Sequence, residues 1–161
     1  MDMLTAFASQ THLPVETIAV RLFVAATLGA VIGIEREWRH RPAGLRTHML
    51  TALAAAVFTL LTAEILHSDM LAGGNTQSDP VRIIEAVTGG VAFLAAGAII
   101  RNAEGVRGLT TGAGMWLAGA IGVATGLGQF SIAAMATVLG FIVIALLRYL
   151  EVASVKQPSR D

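Results

Sequence analysis

The 161-residue chain has no cysteine, which removes disulfides, thiolate chemistry and Cys-type zinc sites. Charge is scarce as well: Asp, Glu, Lys and Arg make up 14% of the chain, hydrophobic residues 55%, and the formal net charge is zero. That balance removes the electrostatic case for nucleic-acid binding. With a mean hydropathy of +0.69, the composition is that of a multispanning membrane protein and not of a soluble domain. The first fourteen residues lack a basic n-region and Arg21 interrupts the first apolar run, so that run reads as a retained span, with no signal peptide. No HExxH motif, nucleophile–base pair or paired intramembrane aspartates occur. The expectation is a non-enzymatic protein with no catalytic residue.

What the sequence does hold is organised around Gly29–His48, GAVIGIEREWRHRPAGLRTH. Four arginines (Arg36, Arg39, Arg41, Arg46) fall within eleven residues of an otherwise apolar chain. An apolar helix ends in this charged hairpin and another begins directly after it. The pattern predicts an all-α, polytopic integral membrane protein of about five transmembrane helices, each near the ~20 residues a bilayer core needs. The first runs from Val15 to Ile34, with helicity to about His40, where Pro42 and Gly44 break it. Glu35/Arg39 and Glu37/Arg41 are then i,i+4 pairs in the favourable order. The second runs from Thr47, a candidate N-cap, to Leu66. Asp79 and Pro80 start the third, which ends near Ile100, and a charged turn spans Arg101–Gly108. The fourth covers Leu109–Leu127 and the fifth Gln129–Leu147, joined by a tight glycine turn. Residues 1–150 form the transmembrane domain, and 151–161 a short polar tail expected to fray from Arg148 on.

Lysine and arginine set the orientation. Nine lie in the hairpin, the Arg101–Gly108 turn and the tail, whereas Arg82 alone lies on the other side. The positive-inside rule then puts the N-terminus outside and the C-terminus inside. Trp38 and Tyr149 fall near the inner interface and Phe130 near the outer one. GAVIGIER…GLRTH and GAIIRN…GVRGLTT resemble each other in order and character. Either they form a repeat about an axis along the membrane normal, or they share glycine and arginine usage only.

The cytoplasmic charged face comprises Glu35, Arg36, Glu37, Arg46, Thr47, Arg101, Arg107, Thr110 and Thr111. Thr47 and Thr110 or Thr111 head two helices whose positive dipole ends meet the inner face, with Arg46 and Arg107 just before them. Two such ends with two arginines form a potential anion pocket. Alternatively, Glu35, Glu37 and Glu104 neutralise the arginines, or the arginines only enforce topology and bind lipid headgroups. Glu35 points inward if Gly29 and Gly33 pack inside, which makes it the best internal counter-charge.

A second cluster lies near the outer face: Glu64, Asp69, Asp79 and Glu85, with Arg21 and Arg82. Charges inside a bilayer cost ~2.5–3.5 kcal/mol each on insertion scales, so they pair or face a cavity. One reading pairs Arg21 with Glu64 or Glu85, or Arg82 with Glu85. The other is a site through which a cation enters; Mg2+, which takes a few carboxylates and retained waters, suits those donors. No metal ligand set is fixed by spacing. Small residues recur every four positions at Ala25, Gly29 and Gly33 and at Gly114, Ala118, Gly122 and Gly126, stripes that let helices approach closely within the chain or between copies. Met115 and Trp116 read as packing or lipid-facing, and the four histidines as interfacial.

IGIEREWRHRPAGLRTHML and AGAIIRNAEGVRGLTTGAGMWLAGAIGVATGLG resemble the membrane domain of the MgtC/SapB family, in the right order and over Gly29–Gly128, with a looser match beyond. The resemblance implies a multi-pass protein of the bacterial inner membrane, linked to magnesium-limited growth, acid tolerance or virulence. Regulation of other membrane machinery is the stronger family-level idea; transport of Mg2+ or another small cation by an oligomer is the alternative. Expected partners are membrane lipids, further copies of the chain and a partner membrane complex. Many relatives carry a soluble C-terminal domain, and this sequence stops soon after the fifth span.

Overall fold

Pro14 precedes the first helix with φ −55°, and its carbonyl accepts the Ile18 N–H at 3.1 Å. From there the computed structural model, which describes residues 11–67, 81–103 and 105–155, is helical almost throughout. Its elements are α1 (Val15–Trp38), α2 (Leu45–His67), α3 (Val81–Gly97), α4 (Leu109–Gly126) and α5 (Phe130–Val155). An antiparallel ribbon of β1 (Ile100–Asn102) and β2 (Gly105–Arg107), in register Ile100↔Arg107, links α3 to α4. Both α1 and α2 are long and apolar enough to cross a membrane.

The bundle is built on α4, which packs against α1, α2, α3 and α5. Its buried positions, among them Gly114, Met115, Ala118, Gly119, Ile121 and Gly122, surround most of the helix. Small residues are what allow this. A Cβ at Gly122 would collide with the Ala52 carbonyl oxygen and stand 2.7 Å from Ala55 Cβ, and one at Gly126 would stand 2.7 Å from Thr59 Cβ. On α1, a Cβ at Gly29 would lie 2.7 Å from the His48 carbonyl oxygen, and one at Gly33 2.8 Å from Leu45 Cα. Both stripes therefore face α2 of the same chain, which is held between α1 and α4. Thr51, Thr59, Thr125 and Thr137 are buried without polar cost because each donates its hydroxyl to a carbonyl one turn back.

Several boundaries differ from the sequence reading. α1 stops at Trp38, because His40 takes φ 52° and turns the chain sharply. Arg41 is thus no longer one helical turn beyond Glu37, and that ion pair is absent among the described residues. α2 starts at Leu45, so Thr47 is not its N-cap. The expected turn after α3 is the β ribbon, which ends α3 at Gly97, and α5 continues to Val155, past the expected end at Leu147. Gly108 carries φ 92° ahead of α4, and a Cβ there would collide with the Ala98 carbonyl. Only glycine combines that conformation with that proximity.

Candidate functional site

Arg36 lies on the buried face of α1. Ala25, Gly29, Ile32 and Arg36 recur at helical spacing, and all four are buried. Arg36 and the adjacent Glu35 each keep only 5% exposure. Arg36 Nη1 stands 3.7 Å from Glu35 Oε2, and Arg39 Nε pairs with Glu35 Oε1. Arg36 Nη2 donates to Thr111 Oγ1 at 3.2 Å, across to the first turn of α4. The hairpin and the start of α4 therefore meet. Arg36 Nε is buried with no hydrogen-bond partner; an unmade buried donor costs roughly 1–3 kcal/mol.

A cavity of about 240 Å3 opens at this junction, lined by Arg36, Arg41, Val106, Gly108, Leu109, Thr110 and Thr111. Thr110 is exposed and Thr111 buried. Beside Arg36, the hairpin cation lining it is Arg41, not Arg46 as the sequence suggests; Arg46 is exposed on α2, and Thr47 is half-buried. Arg101 and Arg107 are exposed on the ribbon, and Glu104 lies outside the described residues. Glu37 takes over the capping role assigned to Thr47: its Oε2 accepts the Leu45 N–H at 2.9 Å, placing a carboxylate at the positive end of α2.

His48, interfacial by its place in the sequence, is fully buried. Its Nδ1 lies 2.9 Å from the Gly44 carbonyl, which makes Nδ1 the protonated nitrogen, and its ring packs against the Gly114 position. The signal was in the sequence: His48, Ala52, Ala55 and Thr59 recur at helical spacing and all are buried.

Of the acidic cluster at the other end of the bundle, the described members Glu64 and Glu85 form no ion pair with Arg21 or Arg82. Glu64 accepts the His12 N–H at 2.6 Å and the Leu13 N–H at 3.1 Å, and His12 stacks on His67 with centroids 4.2 Å apart. Arg21 Nη1 donates instead to the Gly126 carbonyl at 2.7 Å, a cation on the negative end of α4. Arg82 and Glu85 are exposed. Backbone groups, the carbonyl end of α4 for Arg21 and the amides just ahead of α1 for Glu64, meet these two charges in place of one another. Asp69 and Asp79 lie outside the described residues, and among those described no three His, Cys, Asp or Glu side chains gather to hold a metal. Arg21→Ala is expected to lower stability by about 1–2 kcal/mol, and Glu85→Gln by less than ~0.5 kcal/mol. Thermal unfolding in detergent measures both, and equal losses would mean that Glu85 has a partner.

The sequence profile of the MgtC family matches residues 22–153. The protein MgtC of Salmonella typhimurium strain 14028s is 44% identical over 129 residues, 80% of this chain and 52% of the relative. Those of Brucella abortus strain 2308 and Brucella suis biovar 1 are each 42% identical over 135 residues, 84% of this chain and 53% of the relative. The chain thus spans about half the length of these relatives. No solved structure matches it.

Proposed function

The chain belongs to the MgtC family, and from that premise we propose that it is a multi-pass, non-enzymatic protein of the bacterial inner membrane that regulates other membrane machinery through its arginine-rich face. On this reading all five helices cross the bilayer, the N-terminus lies outside and the hairpin, the ribbon and the C-terminus lie in the cytoplasm. Large apolar side chains turned outward, such as Phe23, Phe93 and Leu139, support lipid contact along α1, α3 and α5.

The observation that carries the regulatory role is the Arg36–Thr111 contact with its Glu35 counter-charge, which locks the hairpin onto the start of α4. Arg46, Arg101 and Arg107 are left exposed, basic side chains that a partner complex can meet. Arg46→Ala with Arg101→Ala should therefore abolish the growth phenotype in low magnesium while leaving thermal stability unchanged. The purified chain alone in liposomes should pass no Mg2+. Magnesium flux at a rate that sustains growth would replace regulation with transport.

The topology is tested by two cysteines in this cysteine-free chain. On intact cells an impermeant maleimide should label the Ser78→Cys variant and spare the Ala103→Cys variant. The reverse pattern would invert the protein.

A further inference from the structure

The cavity between the hairpin and α4 is lined by two guanidiniums, Arg36 and Arg41, and by the hydroxyl-bearing residues Thr110 and Thr111. The first turn of α4 stands at its wall, and its amide N–H groups lie beyond the reach of any carbonyl of that helix. Gly108, the residue ahead of α4, supplies no side-chain cap. A helix start of this kind favours negative charge, and here a second feature points the same way. Arg36 is almost wholly buried, lines the cavity, and has an Nε with no partner.

Glu35 balances Arg36 from one side, but it is shared with Arg39 and is not among the cavity-lining residues, and Arg36 Nε stays without a partner. Arg41 has no ion-pair partner among the described residues. Two like charges bordering one small cavity repel, and an anion held between them offsets that repulsion. Thr111 differs from the other buried threonines: it accepts from Arg36 and makes no back-bond to its own helix among the described residues, so its hydroxyl hydrogen is available to a ligand.

We infer that this cavity binds a tetrahedral phosphate-type oxyanion, held by Arg36, Arg41, the Thr110 and Thr111 hydroxyls and the N-terminal amides of α4. Guanidinium forks and helix-start amides match phosphate oxygens in number and geometry. With water occupying ~30 Å3 in the liquid, a cavity of about 240 Å3 takes one phosphate group with a few waters. Its source is either free phosphate or the headgroup of an anionic phospholipid. The inference stands on the cavity and not on the regulatory role, so either can fail alone.

The test uses the full chain purified in a neutral detergent. Inorganic phosphate, titrated against chloride at matched ionic strength, should raise the unfolding temperature saturably if the ligand is free phosphate. If the ligand is a headgroup, the rise should come from phosphatidylglycerol nanodiscs and not from phosphatidylcholine nanodiscs. In either arm Arg41→Gln and Thr110→Val, both at exposed positions and expected to fold, should weaken the effect at least tenfold in midpoint. Arg82→Gln should not change it, and Arg36→Lys, which keeps charge without the fork, should keep only part. A rise that is equal in Arg41→Gln and wild type, a rise equal in chloride, or no rise in either arm would overturn the site.

Discussion

Gly122→Leu is expected to abolish the folded chain, with no monodisperse species recovered in detergent at temperatures where the wild type is stable. The reason lies in backbone, not in side chains that could move aside. Even the first carbon of a side chain at this position meets the Ala52 carbonyl oxygen of α2. Relief would require α2 and α4 to separate. Yet α2 is also held from its other side, where the Gly29 and Gly33 positions leave no more room. Overpacking in a compliant core costs ~1–3 kcal/mol and sometimes more; here the obstacle is main chain on both faces of α2, so the loss should lie at or beyond the top of that range. Gly122→Ala, which adds only the Cβ, should already be measurably less stable. Wild-type thermal stability of Gly122→Leu would mean that the stripe does not pack on α2. Gly97, whose Cβ would meet nothing within 4 Å, serves as the control: Gly97→Ala should be tolerated.

The all-helical character and the five helices of the described residues were legible in the sequence because apolar length and punctuation by Pro and Gly are local. α4 begins at Leu109 as expected, and its small-residue stripe announced a close partner without naming it. Partner identity needs the third dimension, and so did the charged contacts. Spacing made Arg21 and Glu64 look like mates, yet Arg21 found the carbonyl end of α4 and Glu64 the backbone amides just ahead of α1. The same blindness misassigned the cap of α2. A Thr before an apolar run is the usual signal, but the hairpin returns so tightly that Glu37 of α1 reaches the first amide. The β ribbon was not foreseen because a turn of Arg, Asn and Gly carries no alternating pattern. Arg36 and His48 were hidden by residue type: both continue a buried helical stripe, but Arg and His there read as surface residues.

The second large effect concerns Glu35. It was expected to balance the arginines preceding two helix starts. In the structure its ion-pair partners include Arg36 and Arg39, and of these only Arg36 is deeply buried, Arg39 keeping 33% side-chain exposure. Glu35→Gln should therefore cost about 3–5 kcal/mol, because it strands the Arg36 charge in the interior. Arg39→Gln, which removes a partly solvated charge, should cost no more than ~1 kcal/mol. The informative variant is the double one. Arg36→Met in the Glu35→Gln background removes the stranded charge and keeps an unbranched apolar side chain between α1 and α4. It should recover at least half of the lost stability, because an apolar replacement of a buried ion pair is often neutral or better. Thermal unfolding of Glu35→Gln, of Arg36→Met alone and of the double variant closes the cycle. Strict additivity would show that Glu35 and Arg36 are not coupled. The double variant should at the same time lose phosphate-dependent stabilisation, because Arg36 is also a wall of the cavity. Stability restored without anion response would separate the two roles of one arginine: an ion pair that lets it be buried, and a cationic wall of the cavity at which the proposed anion binds.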